Sequence, residues 1–120
     1  MIIGIGIDII EITRIKKTLE RQPRFSERIL TEKEYKLFNS HSIDERRIEF
    51  LAGRFAAKEA YAKAIGTGIG SKLSWKDIEI LPNESGKPVL KSNGSWTAFV
   101  SISHSKAYVV AQIILESSSS

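Results

Sequence analysis

Hydrophobic positions along the chain follow two periods. From Ile2 to Ile12, isoleucines alternate with Gly4, Gly6 and Asp8, a two-residue period that predicts a strand, and the β-branched composition predicts a buried one. Ile3, Ile5, Ile7 and Ile9 share one face. Gly4, Gly6 and Asp8 share the other, where the glycines clear room for another backbone or a ligand beside the carboxylate. From Thr13 to about Ser40 the period turns helical, with Ile12, Ile15 and Leu19 on one stripe and Thr13 as the expected cap. Pro23 is expected to end that helix and to start another. Thr31 and Glu34 have the spacing of a capping box for a short helix through Phe38. Asp44 is expected to cap a long helix that runs to Ile65 and stops at Gly66.

Beyond a Gly-rich turn, Gly66 to Gly70, strand patterns occupy Trp75 to Leu81, Pro88 to Lys91, Ala98 to Ser103 and Tyr108 to Leu115. A turn around Ser85 and Gly86 joins the first two as a hairpin. A strand, then helices including one long central helix, then an antiparallel meander predicts one small α+β domain over residues 1–116. The tail Ser117 to Ser120 is expected to be disordered.

Composition restricts the chemistry. The chain has 120 residues and no Cys, which excludes disulfides, zinc fingers and a thiol nucleophile, so any metal must sit on oxygen or His. A chain this short has little interior left for a deep private cleft, and a site shared between subunits is expected. The apolar N-terminal run is interrupted by Asp8 and Glu11 and lacks a basic leader. It reads as neither signal peptide nor membrane span, and the cytoplasm is the expected compartment. The net charge is +4, and the stretch from Arg14 to Arg28 holds six basic residues against two acidic ones, a surplus equal to that of the whole chain. Arg14, Lys17 and Arg21 share a helical face, which is either merely solvated or docks an acidic protein helix or nucleic acid.

The long helix carries the sharpest anomaly. Ile48, Leu51, Ala52, Phe55 and Ala62 fall within one arc, Glu59 projects near its middle, and Lys63 lies at its edge. Either Glu59 and Lys63 form an intrahelical ion pair, or Glu59 is a metal carboxylate with a phosphate-binding lysine beside it and Asp8 as the second acidic oxygen. His104, at a strand end within Ser101-Ile102-Ser103-His104-Ser105, is either an exposed turn residue or a ligand for phosphate oxygens. A Ser/His hydrolase is disfavoured because neighbours on a strand point to opposite faces. The Gly66 to Gly70 loop follows a helix and lacks the Gly-Lys-Ser/Thr of a P-loop, so alone it signals little.

Together these residues resemble a known family. Gly6-Ile7-Asp8-Ile9, Arg54-Phe55-Ala56-Ala57-Lys58-Glu59-Ala60 with Lys63, Gly66-Thr67-Gly68, and Ser101-Ile102-Ser103-His104 occur in the order seen in the 4′-phosphopantetheinyl transferases, from about Ile3 to Leu115. The resemblance implies an enzyme that moves the phosphopantetheine arm of coenzyme A onto a serine of apo acyl carrier protein, releasing adenosine 3′,5′-bisphosphate. It implies that Asp8 and Glu59 bind Mg²⁺ and that Glu59, or a water it orients, takes the serine proton. Lys63 would neutralise the pyrophosphate, with Gly66 beside it, and His104 and Ser105 would contact a phosphate. Arg54, with Arg46 or Arg47, would meet the 3′-phosphate, and Arg14, Arg21, Arg24 and Arg28 would dock the acidic carrier protein. The small members that it resembles are homotrimers with sites at subunit interfaces. Two rivals are a basic nucleic-acid-binding module and a nonenzymatic scaffold in which Glu59 only pairs with Lys63. Against the first stand the two carboxylates, which would repel a nucleic-acid backbone, and the lack of aromatics among Lys16 to Arg24.

Overall fold

The computed structural model describes residues 1–117. In chain order the elements are β1 (Ile2–Glu11), α1 (Ile12–Arg21), α2 (Phe25–Ile29), α3 (Glu32–Ser40), α4 (Asp44–Ile65), a 3-10 turn (Trp75–Asp77), β2 (Glu79–Pro82), β3 (Pro88–Lys91), β4 (Thr97–His104) and β5 (Tyr108–Glu116). The expected α+β order is present. The tail expectation falls, beyond Ser117, outside the described residues, and Ser117 itself donates its backbone N–H to the Met1 carbonyl at 2.8 Å. No helix among the described residues is long and apolar enough to cross a membrane.

The strands do not form one meander. β5 lies between β1 and β4 in a three-stranded antiparallel sheet, and β2 pairs with β3 in a separate hairpin. In the register, Asp8 faces Ala111, which faces Ile102 on the other side. α4 packs across one face of the sheet, where Val109, Ala111, Ile113 and Leu115 of β5 share a core with Ala52, Ala56 and Ala60. Alanines on the helix let it come close, and the strand glycines let it come closer still. A Cβ on Gly6 would stand 1.9 Å from the Ala60 carbonyl oxygen, and one on Gly4 would stand 2.4 Å from that of Ala64. The expectation that these glycines clear room for a backbone is therefore met by α4.

The reverse face of β1 differs from expectation. Ile3, Ile5, Ile7 and Ile9 are 51%, 61%, 57% and 61% exposed, because nothing among the described residues covers that side of the sheet. Phe99 and Tyr108 are exposed as well, at 50% and 46%.

Local signals held at most ends. Thr31 and Glu34 form the reciprocal capping box, and Gly66 ends α4 in the left-handed conformation at φ 85°. Three boundaries differ. Thr13 lies inside α1, whose cap is Glu11 without a side-chain bond, and Ile43 rather than Asp44 precedes α4. Trp75 to Asp77 is wound into a turn in which Ser74 donates its N–H to Asp77 Oδ2 at 2.9 Å and accepts the Asp77 N–H at its carbonyl at 3.1 Å, so the strand begins only at Glu79.

Candidate active site

β1 and α4 cross where the glycines are, and the crossing brings together the residues singled out at both ends of the pattern. Asp8 follows Gly4 and Gly6 on the face turned to α4, and its side chain is only 17% exposed. Lys63, in the last turn of α4, donates from Nζ to Asp8 Oδ1 at 3.0 Å and to the Ile7 carbonyl at 3.1 Å. The intrahelical Glu59–Lys63 pair is thus not what the fold builds. Lys63 spends its hydrogen bonds on β1 and leaves Glu59, one turn earlier, without them.

Burial holds the Glu59 carboxyl above the usual glutamate range; the negative Asp8 beside it adds to the effect, while Lys63 and Arg14 oppose it. Asp8, Glu59, Lys63 and Arg14 therefore share one electrostatic neighbourhood, and α1 delivers its first arginine to the edge of the carboxylate pair. Arg14, Arg21, Arg24 and Arg28 are all exposed. Arg24 is held by Glu27 at 3.0 Å.

Glu59 is only half-buried, and the charge at the heart of α4 is its neighbour. Lys58 is fully buried and meets an equally buried Glu34, Nζ to Oε1 at 2.6 Å. The single-stripe reading failed because α4 is enclosed by the sheet and also by α1, α2 and α3, so buried residues run around it. The signal that was available is the run of small residues, Ala56, Ala57 and Ala60, which leaves room beside a long lysine stem.

A second cluster occupies the first half of α4. His104 Nδ1 lies 3.0 Å from Glu49 Oε2 at one wall of a cleft of about 280 Å³, which Arg46 and Arg54 also line. Arg54 donates from Nε to the Ile80 carbonyl at 3.2 Å, and its guanidinium carbon sits 4.1 Å above the Phe50 ring. Burial lowers its pKa and the Glu34 carboxylate raises it. Arg47 does not line this cleft. It lies over Phe38 at 4.7 Å, with Asn39 and Asp44 as partners at 3.3 and 3.7 Å. Ser105 accepts at Oγ from the N–H groups of Ala107 and Tyr108, a role in the β4–β5 turn. Gly66 gives its N–H to the carbonyls of Ala62 and Lys63, closing the helix beside the Asp8 contact. A larger cleft, about 840 Å³, lies between β3 and β4, and no carboxylate lines it.

The donor set suits a hard divalent cation. Asp8 and Glu59 are a pair of neighbouring carboxylates, and no cluster of three or more His, Cys, Asp or Glu ligands exists among the described residues. Mg²⁺ is commonly held by one or two carboxylates with waters and substrate phosphates completing its shell.

Residues 4–113 match the 4′-phosphopantetheinyl transferase superfamily. The chain is 55% identical over 120 residues, the full length of both proteins, to the holo-[acyl-carrier-protein] synthase of Halalkalibacterium halodurans. Its fold is similar to the crystal structure of a holo-(acyl-carrier-protein) synthase from Bacillus anthracis in complex with CoA (3′,5′-ADP). The TM-score is 0.91 at 53% identity, covering 98% of this chain and 99% of that one. The Helicobacter pylori holo-[acyl-carrier-protein] synthase in complex with coenzyme A gives a TM-score of 0.82 at 32% identity, over 93% of this chain and 99% of that one.

Proposed function

The chain belongs to the 4′-phosphopantetheinyl transferase superfamily, and within it we propose a holo-acyl-carrier-protein synthase whose chemistry sits where β1 crosses α4. It transfers the 4′-phosphopantetheine arm of coenzyme A to a serine of apo acyl carrier protein and releases adenosine 3′,5′-bisphosphate. The observation that carries the site assignment is the convergence of Asp8, from the N-terminal strand, with Glu59 and Lys63, from the central helix.

The serine oxygen forms a bond to the phosphorus that bears the pantetheine arm, and the bond from that phosphorus to the bridging oxygen breaks. The serine proton goes to the Glu59 carboxylate or to a water that it orients. Asp8 and Glu59 would hold Mg²⁺, which would offset the charge on the pyrophosphate. Lys63, already within reach of Asp8, places an ammonium where the leaving phosphate gains charge. Arg46, Arg54 and His104 receive the nucleotide's phosphates in the smaller cleft. The exposed arginines of α1 and the segment after it dock the acidic carrier protein, with Arg14 nearest the chemistry.

A homotrimer with interfacial sites fits the geometry of α4. Glu49, the partner of His104, precedes Glu59 by ten residues, about 15 Å of helix rise. That exceeds the separation of phosphates on one nucleotide. A neighbour's cleft brought against this chain's carboxylates would close the gap, and the uncovered isoleucine face of β1 supplies the surface. A nucleic-acid module is disfavoured because the arginine nearest the site lies in the field of two carboxylates.

The test is the mass increase of an apo acyl carrier protein incubated with the chain, coenzyme A and Mg²⁺. Asp8→Ala and Glu59→Ala are each expected to abolish the increase while keeping the wild-type circular dichroism spectrum. Full transfer by either variant at low Mg²⁺ would place the metal elsewhere.

A further inference from the structure

Beside the smaller cleft lies the buried charge pair that no step above uses. Lys58 Nζ, besides its bond to Glu34, donates to the carbonyls of Ile29 at 2.8 Å and Trp75 at 3.1 Å. Glu34 accepts from the backbone N–H groups of Thr31 and Ile80, both at 2.8 Å. The pair therefore ties the end of α2, the start of α3, α4, the 3-10 turn and β2 at one point. Apolar side chains of similar volume commonly stabilise a core as well as a buried ion pair does, so stability alone is a poor reason for charges here.

Ile80 supplies another reason. Its N–H is held by Glu34, and its carbonyl receives Nε of Arg54. Phe50 fixes the plane of the guanidinium from one side. The Nη groups of Arg54 make no hydrogen bond among the described residues, and Arg54 lines the cleft with Arg46 and His104. A guanidinium held at Nε presents the rest of its fork to a phosphate. A bond from a carboxylate to a backbone N–H is roughly twice as strong as a neutral one, so the Glu34 end of the relay is stiff.

We propose that Glu34 and Lys58 are positioning residues for the nucleotide end of the substrate: they hold Ile80, and through it Arg54, in place for the 3′-phosphate of coenzyme A. This rests on the assignment of Arg54 to that phosphate under the proposed function.

The test compares KM for coenzyme A and for 3′-dephospho-coenzyme A in the wild type, Arg54→Ala, Glu34→Gln, and Glu34→Gln with Lys58→Met. Misfolded enzyme lowers the apparent kcat but leaves KM, so the ratio of the two KM values reads position rather than folded fraction. The wild type is expected to favour coenzyme A by about tenfold, the return on one well-placed charged contact. Arg54→Ala lowers the ratio several-fold, the remaining preference coming from Arg46 and His104 in the same cleft. Glu34→Gln raises KM for coenzyme A several-fold and leaves that for the dephospho compound within about twofold. The double variant leaves no unpaired buried charge, so it preserves the fold if the single one does not, and it is expected to show the same collapse. A wild-type ratio in the double variant, with Arg54→Ala collapsed, overturns the proposal and leaves the phosphate assignment standing. An unchanged ratio in Arg54→Ala overturns that assignment and the proposal with it.

Discussion

Glu59 is the residue at which electrostatics and the proposed chemistry meet. Its carboxyl is raised by burial first and by Asp8 second, so the native state holds its proton more tightly than the unfolded chain does. Stability from this group is complete below the unfolded value, about 4.3, and is lost as pH rises through the higher native one. At neutral pH without divalent ions the ionised carboxylate is a net cost. Glu59→Gln is therefore expected to be more stable than the wild type at pH 7.5 under chelation, with the two converging near pH 4. Urea denaturation at both pH values measures this, and a wild type that is more stable at pH 7.5 would mean that Glu59 sits in a favourable ion pair. Asp8 and Glu59 were legible as chemistry because each is a charge set into an apolar pattern. Lys58 was not, since the neighbour that gives it meaning, Glu34, lies 24 residues away.

At the scale of elements, the contact between β1 and α4 decides whether the two carboxylates meet. Gly6 has no space for a methyl group, and its obstacle is the Ala60 carbonyl, a backbone atom that cannot rotate aside. Gly6→Ala is expected to cost about 3 kcal/mol or more, at the upper end for overpacking, and to reduce transfer by moving Asp8 away from Glu59. The denaturation midpoint and the turnover of the folded protein check the two effects separately. The second element-scale expectation concerns α1 and the segment after it. Reversing Arg21 and Arg24, the exposed arginines further from the carboxylates, to Glu should raise KM for the carrier protein while sparing coenzyme A binding. Wild-type efficiency should also fall with salt more steeply than that of the variant, since rim charges act mainly on association. An unchanged KM for carrier protein would leave this face merely solvated.

For the molecule as a whole, the uncovered sheet face is the feature that a single chain cannot explain. Four half-exposed isoleucines on β1 stand beside Phe99 and Tyr108, with Gln112 between Ile7 and Ser101 in the register. Contiguous apolar surface of this kind marks an interface. Sedimentation at micromolar concentration is expected to show a trimer, and Gln112→Glu, which sets a charge in the middle of the face, should dissociate it and lower activity together. A fully active monomer would contradict both the assembly and the interfacial site.

Helix α4 up to its glycine stop, the Thr31 capping box, the β2–β3 hairpin and the choice of Asp8, Glu59 and Lys63 as candidates came from the sequence alone. Each depends on backbone preferences or on residues within a turn or two of one another. Tertiary structure decided which face of β1 is covered, that Lys58 rather than Glu59 is the buried charge, and that Arg46 rather than Arg47 joins Arg54. It also gave Lys63 to Asp8, 55 residues away, over Glu59 on its own helix. These choices turn on desolvation and on the geometry of distant backbones. A periodic pattern carries neither, because a helix enclosed on several sides has no single apolar stripe, and a strand face is buried only if something lies against it.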